Sequence, residues 1–105
     1  MQEITVVYWR DIPAQLLVGR GRKALKYKLP EKYEKAIDMC AMKTGAKEAD
    51  TYLQGWRKFV TKVSTKDDNF LEREAEKLMK EYDDRKLKFL INNNGWEEDT
   101  NERNL

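Results

Sequence analysis

No histidine occurs in this chain. That removes the side chain most used as a general base, the Ser-His-Asp and Cys-His arrangements, and the usual ligands of zinc and haem. Carboxylate, lysine and tyrosine chemistry stays open, so several hydrolytic, metal and thiol mechanisms are excluded but enzymes as a class are not. The sequence reads as a binding or accessory protein rather than a stand-alone enzyme, with no cofactor bound directly. Cys40 is the single cysteine, so no internal disulfide can form, which fits a reducing compartment. No apolar stretch approaches the roughly 20 residues that a bilayer span requires, and no membrane role is expected. The opening Met-Gln-Glu-Ile-Thr-Val-Val has no basic lead and enters a structured pattern at once, unlike a signal or transit peptide. A cytoplasmic location is the expectation.

What is present is charge and aromatic surface. Charged residues make up 38% of the 105, well above the usual quarter. Three Trp, five Tyr and three Phe within a 40% hydrophobic fraction argue for a folded chain. A single domain of this length buries a real but modest core, and a larger partner can add to its stability. Charge is unevenly placed: residues 1–29 carry net +4, residues 30–66 net +3, and residues 67–105 net −5. A basic front of this kind either meets an anion or is neutralised by its own acidic rear.

Ile4 to Arg10 is dense in β-branched and aromatic residues and reads as a strand, central or covered on both faces. Pro13 breaks it at a tight turn or bulge. Strand character resumes from Ala14 to Arg20, and the glycines of Gly19-Arg20-Gly21-Arg22-Lys23 permit a turn with positive φ. Alternation over Ala24–Leu29 gives a third strand, with a short helical start as competitor. From Pro30 to Thr44, Tyr33, Ala36, Ile37, Cys40 and Ala41 follow the spacing of a helix buried on one face, with Pro30 at the first position and Gly45 as the cap. Tyr52 to Val63 fits helical spacing at Tyr52, Trp56, Phe59, Val60 and Val63, but its β-branched tail and Gly55 favour a strand. Ser64 to Asn69 is a polar linker. Leu71, Ala75, Leu78, Tyr82, Arg85 and Phe89 then form one seam of a long helix ending near Asn92. The expected fold is α+β: a small antiparallel sheet of three to four strands with two helices, in the order β-β-β-α-β-α, closed by the long helix. Residues 1–95 form the domain, with 96–105 a frayed polar tail from which Trp96 can fold back.

Several constellations invite chemistry. Tyr8-Trp9-Arg10, Arg20-Arg22-Lys23 and Trp56-Arg57-Lys58 interleave aromatics with cations, as single-stranded RNA surfaces do. Against this, the tryptophans serve equally well as core. The Gly-Arg-Gly-Arg-Lys run lacks the spacing of a phosphate loop and of a dinucleotide fingerprint, and reads as a hairpin turn. Cys40 lies on the inward stripe of a helix with no histidine to activate it, so it reads as buried and structural. The acid pairs Glu72/Glu76 and Asp83/Asp84 sit among Lys and Arg, the pattern of a solvated, salt-bridged face.

Tyr8-Trp9-Arg10-Asp11-Ile12-Pro13-Ala14-Gln15, then Ala36 to Met42, then Asp50-Thr51-Tyr52-Leu53 with Trp56 and Arg57, resembles the small "virulence factor" family of bacterial proteins. The resemblance covers roughly residues 3–60, and similar domains occur attached to HEAT-like repeat proteins. It transfers no catalytic residues. It implies an alphaproteobacterial stand-alone protein of the type that sits beside genes for folate- and corrinoid-dependent methyl transfer, hence an accessory subunit of one-carbon chemistry. The leading expectation is docking on a larger protein, such as a folate or corrinoid methyltransferase, through Trp9, Arg10, Asp11, Pro13, Arg22, Lys23, Trp56 and Arg57. Trp and Arg are the usual anchors of such surfaces. RNA binding through a basic-aromatic sheet face is the alternative.

Overall fold

A computed structural model describes residues 2–19, 24–45, 49–63 and 69–97. Four strands form one antiparallel sheet: β1 (Gln2–Trp9), β2 (Ile12–Val18), β3 (Leu25–Lys28) and β4 (Trp56–Val63). Their spatial order is β3-β2-β1-β4, so the apolar first strand does lie inside the sheet. Four helices accompany them: α1 (Glu31–Thr44), α2 (Ala49–Gly55), α3 (Phe70–Glu81) and α4 (Asp84–Asn92).

Trp9 pairs with Ile12, which leaves Arg10 and Asp11 as a two-residue hairpin turn. Arg10 adopts φ 55° there, an uncommon backbone for a residue with a Cβ. Val7 faces Gln15 and Tyr8 faces Pro13, so Ala14 is the extra residue of a bulge in β2. The bulge frees the Ala14 carbonyl to accept from Leu29 N–H, and it lets Pro13, which has no N–H to donate, sit inside a paired strand.

Strand alternation divides the sheet into two faces. Ile4 and Val6 of β1 align with Val18 and Leu16 of β2, and all four are buried. They meet the α1 stripe of Tyr33, Ala36, Ile37, Cys40 and Ala41, with Ala75 and Leu78 of α3 and Leu87 and Leu90 of α4 completing the core. The five inward positions of α1 are those its spacing gave. Its bounds shift slightly: Pro30 has ψ 155° and stands just before the helix, while Gly45 ends it in the left-handed conformation. The opposite row of the sheet, including Thr5, Leu17, Lys26, Lys58 and Val60, lines an open surface.

Two expectations are corrected. The long terminal helix is two helices. Asp83 is extended, and its carboxylate accepts from Lys86 N–H at 2.9 Å to cap α4. The Tyr33 hydroxyl donates to the Tyr82 carbonyl at 2.7 Å, which satisfies the end of α3 from across the core. The seam consequently changes register: Arg85 and Phe89 are exposed, while Leu87 and Leu90 are buried. The segment from Tyr52 also divides. Tyr52 to Gly55 belongs to the short helix α2, and strand begins only at Trp56. The backbone N–H of Glu97 donates to Asp11 Oδ2 at 2.7 Å. Residues 98–105, and residues 64–68 of the predicted Ser64–Asn69 linker, lie outside the described residues.

Buried tyrosines give this core an alkaline limit. Burial, above all other causes, raises the hydroxyl pKa of Tyr8, Tyr33 and Tyr82 above the ordinary 10.0. The folded state then holds protons that the unfolded chain releases near pH 10. Stability is full below that pH and falls as pH rises through the folded values. Tyrosinate absorbance and loss of helical circular dichroism are expected to rise together above pH 10. Complete ionisation of all five tyrosines with the fold retained would contradict this burial.

Candidate partner-binding surface

The residues expected to face a partner are mostly spent on the fold itself. Trp9 is 0% exposed and Pro13 is also fully buried. The Trp9 indole N–H donates to the Tyr52 carbonyl at 2.9 Å, and its ring lies so near Gly55 that a Cβ there would stand 2.5 Å from the indole nitrogen. That contact explains why glycine joins α2 to β4. Asp11 is 8% exposed. Its Oδ1 accepts from Arg57 Nη2 at 2.8 Å, and its Oδ2 from Glu97 N–H.

Arg10 and Arg57 are the cations of this knot. Arg10 lies against the rings of Trp9 and Trp96, 4.8 and 5.4 Å from their centroids. It also donates to the Asn94 carbonyl at 2.6 Å. Its own N–H donates to the Gly55 carbonyl, and that of Asp11 to the Gly95 carbonyl. Arg57 donates through Nε to the Arg10 carbonyl and stacks on Tyr8 at 4.5 Å. These contacts account for the strained Arg10 backbone: the surroundings over-determine it. Gly95, at φ 87°, approaches Arg10 and Cys40 so closely that a Cβ would lie 3.0 Å from Arg10 Cδ and 3.1 Å from Cys40 Sγ. The Tyr-Trp-Arg-Asp-Ile-Pro run is thus a tie that fastens the β1–β2 hairpin to the α2–β4 junction and to the 93–97 turn.

Cys40 is fully buried, and burial raises its thiol pKa despite the nearby Arg10 and Lys43 charges. It is a packing residue. The Asp83/Asp84 pair also serves the fold: Asp83 caps α4, and Asp84 accepts from Lys32 Nζ at 2.9 Å. Glu72 and Glu76 are exposed on α3. Arg22 and Lys23 lie outside the described residues, as does most of the Gly-Arg-Gly-Arg-Lys run.

The exposed apolar side chains are elsewhere, and sequence reasoning did not single them out. β4 ends the sheet, with β1 on one side and no strand on the other among the described residues. Along it, Phe59 and Val60 point to opposite faces and are 56% and 51% exposed. Arg57, Lys58 and Lys62 flank them and are exposed too. The β4 sequence Trp-Arg-Lys-Phe-Val-Thr-Lys-Val therefore presents two large apolar groups amid three cations on an unpaired edge. A free edge of this length is a template for a further strand. A second feature is a cleft of about 170 Å³ where α1 and α2 meet β2, walled in part by Tyr52, Trp56 and Ile37.

Fold and surface together define a small α+β domain built on a motif-tied antiparallel sheet with β3 and β4 at its edges. The chain belongs to the family described as virulence factor, whose sequence profile matches residues 7–91. Nothing among curated proteins or solved structures matches the chain. No helix of the described residues is long and apolar enough to cross a membrane.

Proposed function

We propose that this protein is a non-catalytic accessory subunit that docks on a larger cytoplasmic protein, an extended segment of which adds to the edge of β4. The partner implied by the family setting is a folate- or corrinoid-dependent methyltransferase. The observation carrying the docking mode is the eight-residue β4, whose outer edge meets no strand among the described residues, with Phe59 and Val60 half exposed on its two faces. Main-chain hydrogen bonds would supply affinity, and pockets around alternate side chains specificity. Arg57, Lys58 and Lys62 disfavour a second copy: antiparallel pairing of β4 with itself about Phe59 and Val60 brings Lys62 opposite Arg57, and like charges directly opposite are destabilising. They favour an acidic segment.

The test is purification of tagged protein from its native cytosol at moderate salt, beside the variant Phe59→Glu/Val60→Glu. A methyltransferase recovered stoichiometrically with the parent chain, and depleted at least about tenfold with the variant, is the expected result. Equal recovery with both, or recovery of the parent chain alone, would sink the reading. An RNA-binding reading keeps the lysines of the open face but loses Trp9 as a stacking aromatic, since that ring is buried. Its signature would be nuclease-sensitive material whose retention falls steeply with salt.

A further inference from the structure

The cleft between α1, α2 and β2 has a chemistry independent of the β4 edge. Its floor is apolar, from Ala14, Leu29 and Ile37. One wall is aromatic: the Tyr52 and Trp56 rings meet edge to face, with centroids 5.9 Å apart at 80°. Trp9 backs Tyr52 from a centroid distance of 5.9 Å, so that ring is held in place rather than free to turn. The rim is charged, from the carboxylates of Glu34 and Asp38 and the ammonium of Lys28. Glu34 is already paired with Lys28 at 3.2 Å. Asp38 has neither ion pair nor hydrogen bond among the described residues, and it borders both this cleft and the adjoining one beside Met42. Burial first, and then the negative charge of Asp38, raises the Tyr52 hydroxyl pKa above its usual value. The Asp38 field therefore reaches into the aromatic corner.

Size and lining narrow the ligand. At about 170 Å³ the cleft is several times the roughly 30 Å³ share of one liquid water, and smaller than the pockets that enclose drug-sized molecules. With Glu34 held by Lys28, Asp38 leaves the rim net negative, which disfavours anions. One unpaired carboxylate beside indole and phenol rings offers too few oxygens for calcium or magnesium. A bare ammonium holds its water tightly, and the apolar floor cannot replace that water. A methylated ammonium is weakly hydrated, fits an apolar floor, and is drawn both to aromatic faces and to a nearby carboxylate. We infer that this cleft binds a small alkylated ammonium group, with Tyr52 and Trp56 as its aromatic wall and Asp38 as its counter-ion.

The experiment is a titration of the full chain with choline, followed by amide chemical shifts and tryptophan fluorescence, beside the uncharged tert-butyl isostere of choline. Saturable binding is expected, with shifts centred on Asp38, Tyr52 and Trp56, and binding of the isostere at least about tenfold weaker. Asp38→Asn keeps the side chain's shape on an exposed helix position, so the fold is retained and choline affinity drops by roughly tenfold, the scale of one short-range charge contact. Trp56→Leu removes the second ring and is expected to weaken choline more than the isostere. Absence of saturable binding, equal affinity for choline and its isostere, or undiminished affinity in Asp38→Asn would each overturn the assignment.

Discussion

Trp9→Ala is expected to cost about 3–5 kcal/mol of folding stability, the usual range for removing a large buried aromatic. A domain of this size has only about 5–15 kcal/mol in total, so the variant should be largely unfolded at moderate urea. The cost exceeds lost burial. The indole fills the space left by Gly55, backs the Tyr52 ring, supports the Arg10 guanidinium and satisfies the Tyr52 carbonyl. Truncation leaves a cavity where the hairpin, α2 and β4 meet. Urea unfolding followed by circular dichroism decides it, with Trp9→Phe as a milder control that keeps a ring. A loss below about 1 kcal/mol would mean that the site collapses around the vacancy and that Trp9 is not central.

Asp11→Ala is expected to rank second, at about 2–3 kcal/mol, and to act locally. The carboxylate is nearly buried and divides its two oxygens between Arg57 and the Glu97 N–H. Removing it leaves the part-buried Glu97 N–H and the Arg57 guanidinium without their acceptor, and hydrogen bonds to charged groups are the stronger kind. The ion pair alone contributes less. The Arg57 side chain is 45% exposed, so solvent screening holds its coupling to Asp11 to about 1 kcal/mol or less. A double-mutant cycle with Arg57→Ala is therefore expected to give a small interaction energy and a large single cost for Asp11. Hydrogen exchange should quicken first at Asp11, whose N–H is held by Gly95, and at Glu97. Uniform exchange across the whole chain would argue instead for global rather than local opening.

These two residues also show where reading the sequence reached its limit. Tyr8-Trp9-Arg10-Asp11-Ile12-Pro13 stood out as aromatic and charged, and such residues on a turn ordinarily signal a surface. The structure turns Trp9, Asp11 and Pro13 inward. Charge on Asp11 is tolerated there because Arg57, 46 positions away, supplies the counter-charge. No local pattern announces a pair at that separation. The β4 edge was obscure for a related reason: Phe59 and Val60 look like core residues in any window, and their exposure follows from the strand's place at the end of the sheet. The cleft draws on β2, α1, α2 and β4, so no single segment carried its signal.

Helix and strand identity followed from the chain's own periodicity wherever one pattern ran unbroken. The α1 stripe from Tyr33 to Ala41 and the β-branched run of β1 are such cases, because a step of 3.6 or 2 residues needs no distant partner to be seen. The lack of histidine and the single cysteine bounded the chemistry in the same local way. Tertiary structure alone decided the break at Tyr82–Asp83, where Tyr33 takes a carbonyl from the helix end and Asp83 caps the next helix. It alone decided that α2 closes against Trp9 before β4 begins. Both choices depend on hydrogen bonds and packing between residues more than forty positions apart, Tyr33 with Tyr82 and Trp9 with Tyr52, and a linear sequence places no such residues side by side.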